Sequence, residues 1–404
     1  MSKPSSSARS RLTITLCFCI ALFEGLDLQS AGIAAAGMRL DLGLSPQDLG
    51  AIFSAGILGL MPGSLFGGVL ADRYGRRTVL LGAITIFGTC SLFTAYAWNL
   101  PTLIIARLLT GVGLGAALPT VIALTAEAAS ERYRGRAVSL MFCGMPLGGA
   151  LATVLGMESI GGNWRTVFYV GGIAPLLLVP ALYALLPESP AFVRNRVLLL
   201  ADSTGSLIKS LFGPRRSGTT LLMWVVFFFT LMVVYILLNW LPSLLIKQGL
   251  EHDQATWVQT AFSFGAAAGS VILGSLLDHW KAEHVVRLMY AGMILSLLAL
   301  CLAASFPLLL VAGGLAGFFT IGGQLVLYTL ATLVYPSEIR STGLGFAVAS
   351  GRLGAMVGPL LVGYMLLQGI GSSAVIVAAI PCTLVAALLA VFMLRKPQPA
   401  TAAA

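Results

Sequence analysis

Charge is what this chain lacks. Asp, Glu, Lys and Arg make up 10% of its 404 residues, against roughly 25% in a soluble globular domain, so a water-facing surface of ordinary size is excluded. Histidine is nearly absent as well: His252, His279 and His284 stand in loops without ligand spacing. The cysteines, Cys17, Cys19, Cys90, Cys143, Cys301 and Cys382, all fall inside apolar runs. Cys17 and Cys19 are two apart and point in different directions on a helix; all six read as buried small hydrophobes with no disulfide or metal role. No zinc-site motif, nucleophile elbow or phosphate loop occurs. The sequence therefore supports neither an enzyme nor a bound cofactor.

What fills the chain instead is apolar: 58% of the residues are hydrophobic, in runs near the roughly 20 residues that cross a hydrocarbon core. These runs are too long for the alternating strands of an outer-membrane barrel. The fold class is an all-α membrane protein. Punctuation by charge, Pro and Gly predicts twelve transmembrane helices, at 12–36, 49–71, 78–98, 101–124, 137–159, 165–186, 218–242, 253–277, 285–305, 307–334, 343–367 and 372–394. Arg9 and Arg11 before an apolar stretch ending in "AAAG" resemble a cleaved leader. Two acids interrupt that stretch and many spans follow it, so it reads as the first span. The halves are residues 1–186 and 218–404, each a six-helix bundle. Between them lies a cytoplasmic linker, 187–217, with an interfacial helix expected at 195–212.

Lys and Arg set the orientation. Nineteen of the 24 fall on the side that holds the N-terminus, the even-to-odd connections and the C-terminus. The opposite side holds Arg39, Arg165 and Lys247, and Arg107 and Arg352 lie inside spans. Both termini are thus expected in the cytoplasm. This asymmetry accounts for the net charge of +9 without a nucleic-acid partner.

The halves echo one another. "GGVLADRYGRR" is matched by "LGSLLDHWKAE", placing Asp72 and Asp278 206 positions apart, and Pro101 and Pro307 share that offset. Gly135 and Gly343 differ by 208. Parallel six-helix repeats imply a site near the bilayer midplane, between bundles that rock about it. The intramembrane charges are not repeated: an offset of 206 carries Glu24, Asp27 and Arg107 onto Thr230, Val233 and Gly313, and Arg352 less 208 is Gly144.

Several of these segments resemble a known family. "GGVLADRYGRR", with Gly68, Asp72, Arg73, Gly75, Arg76 and Arg77, resembles the cytoplasmic signature of the major facilitator superfamily. "ARLLTGVGLGAALP", with Arg107, Gly111, Gly113 and Gly115, resembles its fourth-helix motif, and "PESP" ends the sixth span as in many members. Within the superfamily, "EGLD" is similar to the first-helix motif of the aromatic acid/proton symporters, as is "PSEIRSTGLGFAVASGRLGAMVGP" to their tenth-to-eleventh-helix segment. Glu24 stands where that motif usually has Asp. The second cytoplasmic signature lacks its Gly-Arg-Arg after Asp278, and "GMPLGG" matches the fifth-helix antiporter motif only in part. The resemblance implies a secondary active importer in the cell inner membrane, moving a small aromatic carboxylate together with protons and functional as a monomer.

The residues supply chemistry for that role. A charge at the centre of a span costs about 2.5–3.5 kcal/mol on the most lenient scale, so it faces the bundle interior or a wet cavity. At 1.5 Å per residue, Glu24 and Asp27 lie roughly 18 and 22 Å from the cytoplasmic start of the first span. Arg107, entering from the other side, lies roughly 21 Å from the cytoplasm. An ion pair across the first bundle is expected, with Asp27 and Glu24 taking the proton. Arg107 or Arg352 would hold the substrate carboxylate, since Arg suits bidentate recognition; Arg352 is equally placed to gate. Tyr235, Asn239, Gln259, Gln324 and Tyr328 could shape a pocket for a ring, with Trp240 and Phe264 alternatively facing lipid. Gly111 and Gly115 read as helix-packing positions. Gating is expected of Asp72, Arg73, Arg76 and Arg77, of Asp278 opposite them in the repeat, and of Glu127, Arg134, Glu338 and Arg340. Two rival readings use the same fold: a proton-driven efflux antiporter and a non-transporting membrane sensor.

Overall fold

The computed structural model describes residues 6–130, 133–158, 163–188, 217–303, 305–334 and 340–395. It resolves into two compact units, one of Met1–Leu199 with Glu251–Thr256, the other of Leu200–Leu250 with Trp257–Ala404. The first holds α1 (Ser6–Leu42), α2 (Pro46–Tyr74), α3 (Arg76–Ala95), α4 (Leu100–Ala128), α5 (Arg134–Phe142), α6 (Gly144–Glu158) and α7 (Arg165–Leu185). The second holds α8 (Ser217–Lys247), most of α9 (His252–His279), α10 (Ala282–Leu302), α11 (Phe306–Thr320), α12 (Gln324–Val334), α13 (Arg340–Leu367) and α14 (Ser372–Arg395). The linker segment 189–216, including the helix expected at 195–212, lies outside the described residues.

Local chemistry sets the helix starts. Ser45 and Asp48 form a capping box with Pro46 in the first turn of α2, and Asn99 with Thr102 does the same for α4, ahead of Pro101. Between α2 and α3 the chain turns at Gly75, whose φ of +96° a side-chain-bearing residue rarely adopts.

Among the described residues, eleven stretches are long and apolar enough to cross a membrane, and the short α11 adds a twelfth crossing with α12. Two expected spans are not single helices. The fifth, 137–159, breaks at Cys143 into α5 and α6. There Pro146 lacks the N–H that would bond to Phe142, and Gly144 sits where a Cβ would crowd the Phe18 carbonyl of α1. The tenth, 307–334, breaks at Ile321–Gly323. Its glycine pair, Gly322 and Gly323, is pressed against Gly269 and Met289, and such pairs are a recurrent cause of kinks.

The 206-residue offset reappears as packing. In the first unit α2 meets α4 backbone to backbone: a Cβ on Gly59, Gly63 or Gly111 would strike the carbonyl oxygen of Leu108, Val112 or Gly56. In the second, α9 meets α11 the same way, with Gly265, Gly269 and Gly317 against Gly314, Phe318 and Phe262. Every member of the second set is 206 positions beyond its counterpart in the first. Close approach without side chains lets helices associate where lipid removes the hydrophobic drive between them. Gly115 extends the seam against Leu60, while Gly113 on the next face meets Phe87 of α3.

The end of the bundle is laced similarly in both units. Glu188 accepts from the Arg77 main-chain N–H at 3.1 Å, and the Arg77 guanidinium donates to the Tyr183 carbonyl, tying the start of α3 to the end of α7. At the offset position Glu283 begins α10 and pairs at 3.1 Å with Arg395 at the end of α14, with the side-chain signs exchanged.

Gly111→Ala and Gly317→Ala are each expected to lower the thermal midpoint of the detergent-purified protein, as overpacking by about 1–3 kcal/mol would. Gly82→Ala, where a methyl group meets nothing within 4 Å, is expected to leave it unchanged or slightly higher. Equal effects at all three positions in a thermal-shift assay would contradict the seam.

Candidate functional site

The acid at position 27 is completely buried, and so is the residue that neutralises it: Asp27 is 0% and Arg107 3% exposed. Nη1 of Arg107, from α4, donates to Asp27 Oδ2 at 3.0 Å, and Nη2 donates to the Asp27 main-chain carbonyl at 3.3 Å. From α3, the Ser91 hydroxyl donates to Asp27 Oδ1 at 2.8 Å. The Phe168 ring of α7 lies 5.6 Å from the guanidinium carbon and faces it with its π cloud. Arg107 Nε finds no acceptor among the described residues. Four helices therefore converge on one ion pair, and the depths expected from helix rise for Asp27 and Arg107 meet as a bonded pair.

Small residues make the room. Gly56 on α2 lies beside the guanidinium, where a Cβ would make ordinary contact with Nη2 at 3.7 Å. At Gly171 on α7, a Cβ would stand 3.3 Å from the Ser91 hydroxyl. Breaking such a buried pair by removing one partner typically costs 3–5 kcal/mol, because the survivor is left charged in a dry interior. Glu24, nearly one turn earlier on α1, is also buried at 1% exposure.

Phe168 continues outward. Its ring meets Trp164 edge-on at 5.9 Å, and Trp164 Nε1 donates to Asp41 Oδ2 at 3.0 Å, where Arg165 also binds at 2.7 Å. An ion pair at the end of α1 and the start of α7 is thus linked through Trp164 and Phe168 to the buried one.

In the second unit, Arg352 on α13 donates to the Tyr235 hydroxyl of α8, its guanidinium carbon 5.9 Å from that ring. Asn239 is buried and donates back to the Tyr235 main-chain carbonyl at 2.9 Å. Gln259 is fully buried, Gln324 and Tyr328 are half-buried, and Tyr328 packs on Phe227 with ring centres 6.1 Å apart. Trp240 is no lipid-interface residue: it is buried and donates to the Pro359 carbonyl at 3.2 Å, fastening α8 to α13. Phe264 is 55% exposed, as its lipid-facing alternative required. Where the repeat places Thr230 opposite Glu24, a neutral pair stands, Thr230 to Tyr290 at 2.7 Å.

Of the expected gating residues, Arg76 is ion-paired with Glu127, joining α3 to α4. Arg73 lies over Tyr74. Glu338 lies outside the described residues, and the side chains of Asp72, Asp278, Arg134 and Arg340 do so as well. Ser91, Phe168 and Gly56 escaped the sequence reading. Ser91 is one of several hydroxyls along the third span, with Thr78, Thr85, Thr89 and Thr94, and nothing in the sequence singles it out.

Comparison with known proteins agrees with this architecture. The family model described as Major Facilitator Superfamily matches residues 17–256 and 223–404. The chain is 54% identical over 392 residues to the 3-(3-hydroxy-phenyl)propionate transporter of Escherichia coli (strain K12), covering 97% of this chain and 96% of that protein. It is 36% identical to the gallate transporter of Pseudomonas putida, over 89% and 86% of the two chains. Its fold superposes on the inward-open xylose transporter of E. coli with a TM-score of 0.79, at 19% identity, over 97% and 98% of the chains. With its glycine seams, its repeat offset and its cytoplasmic signature, the chain belongs to the Major Facilitator Superfamily.

Proposed function

We propose that this multi-pass membrane protein imports a small aromatic carboxylate of the 3-(3-hydroxyphenyl)propionate type together with a proton, by alternating access. The observation that carries the coupling is the buried Asp27–Arg107 pair. The substrate class is supported by the high identity, over nearly the whole length, to a transporter of that acid and by the likeness to a gallate transporter. The asymmetry of Lys and Arg supports an inner-membrane orientation with both termini in the cytoplasm.

In this reading Asp27 is the proton carrier and Glu24 assists it. Opposite unit charges a few ångströms apart attract by about 4 kcal/mol even at an effective dielectric of 20. An anion that engages Arg107 withdraws that attraction from Asp27 and favours the protonated acid, so anion and proton are taken up together. The unsatisfied Nε of Arg107 is a donor available for such an engagement. In the second unit the Tyr235 hydroxyl accepts from the Arg352 guanidinium, which suits Arg352 as the alternative holder of the carboxylate, while the Tyr235 ring and Asn239 suit a phenolic substrate.

Two experiments test the reading. Asp27→Asn keeps an oxygen that accepts from Arg107 and cannot titrate. In proteoliposomes it is expected to abolish accumulation driven by a pH gradient while preserving counterflow; retained gradient-driven accumulation would remove Asp27 from the proton path. Counterflow by the unaltered protein with phenylpropionates, hydroxybenzoates and sugars is expected to select the aromatic acids. Exchange of sugars alone would overturn the substrate class.

A further inference from the structure

The Ser91 hydroxyl has one hydrogen and two acceptors within reach. It is fully buried on α3 and lies 2.8 Å from Asp27 Oδ1 and 3.4 Å from the main-chain carbonyl oxygen of Phe168 on α7. A hydroxyl donates once and accepts through its lone pairs, and its hydrogen rotates to suit. The Phe168 carbonyl has a lone pair beyond the one its own helix uses. An arrangement that only anchored a permanently charged carboxylate would not need this second acceptor.

Resting on the reading that Asp27 is the proton carrier, we propose that Ser91 is a positioning residue that lets this acid change protonation state inside the dry bundle. With Asp27 charged, the Ser91 hydrogen points to Oδ1. With Asp27 protonated, the carboxyl O–H donates to Ser91 Oγ, and the Ser91 hydrogen turns to the Phe168 carbonyl. Each state is fully hydrogen-bonded, and the change needs only rotation about one C–O bond. No proton is created or lost at Ser91: the one on Asp27 enters from and returns to solvent.

The surroundings leave few substitutes for this hydroxyl. Of the titratable or charged groups on the elements around Asp27, Arg107 of α4 bonds to it and Cys90 of α3 lies within electrostatic reach, with Glu24 three residues earlier on α1. Toward this site α7 presents Phe168 and Gly171. Against neighbouring turns of α1, α6 presents Met145, Gly148 and Gly149. Arg107 donates in either state and cannot accept. Ser91 alone among the observed partners of Asp27 can reverse the sense of its bond.

Net uptake requires Asp27 to lose its proton in every cycle, whereas counterflow shuttles the loaded carrier without that step. Both are measured in proteoliposomes with radiolabelled 3-(3-hydroxyphenyl)propionate, and the ratio of net uptake to counterflow is the readout, because a folding or packing defect lowers both rates together. Ser91→Ala removes one hydrogen bond to the charged form and is expected to lower the ratio about tenfold, the scale of a bond to a charged group. Ser91→Thr, which restores the hydroxyl, is expected to keep the ratio of the unaltered protein. A ratio unchanged in Ser91→Ala, whether the two rates stay normal or fall together, overturns the proposal, as does an equal drop in Ser91→Thr. Failure of the underlying reading shows elsewhere, as gradient-driven accumulation surviving in Asp27→Asn.

Discussion

One carboxylate in an apolar helix governs the architecture of the first unit. Asp27 is removed from water, and an ion of that size left alone in a low-dielectric interior would be several kilocalories per mole too costly to retain. Two helices besides its own supply what water would have given, a guanidinium from α4 and a hydroxyl from α3, while an aromatic face from α7 lies against the guanidinium. The fit is tight at Gly171, where a Cβ would stand 3.3 Å from the Ser91 hydroxyl, whereas at Gly56 it would make only ordinary contact with the guanidinium. A buried pair of this kind is weak evidence for stability. Its proposed use is the protonation state that a bound anion would change.

The two units share a scaffold and differ in chemistry. Their glycine seams agree residue for residue at an offset of 206, so the backbone approach of α2 to α4 is that of α9 to α11. The same offset turns Asp27 into Val233 and Arg107 into Gly313, leaving the second unit without the ion pair and with the neutral Thr230–Tyr290 bond instead. Packing is thus common to both bundles, and the titratable chemistry of the pair belongs to one.

Much of this was legible in the sequence, for identifiable reasons. Runs of about twenty apolar residues declare crossings because no other environment tolerates them. Asp27 and Arg107 stood out because charge inside such runs is rare, and helix rise alone placed them at one depth. Breaks in two spans were hidden: Pro146 resembles Pro62, Pro119 and Pro359, and Gly322–Gly323 resembles Gly67–Gly68 and Gly171–Gly172, where the helices run on. Tertiary contact decides between continuing and breaking, and it has no local signature. Ser91 was missed because an uncharged hydroxyl is inexpensive in a helix, where it can bond to its own backbone. The Phe168 carbonyl carries no side-chain signal at all. Trp240 was read as a possible interface residue because its position near a helix end does not disclose the Pro359 carbonyl that meets its indole.

In the proposed coupling the anion takes Arg107 and the proton takes Asp27, so each favours the other through the same ion pair. The most direct measurement of this coupling is the proton uptake that accompanies binding of 3-(3-hydroxyphenyl)propionate to purified protein in a weakly buffered detergent solution, followed with a pH indicator. The account predicts close to one proton absorbed per anion bound, and none when Asp27 is replaced by Asn. Saturable binding that takes up no proton at any pH would contradict it.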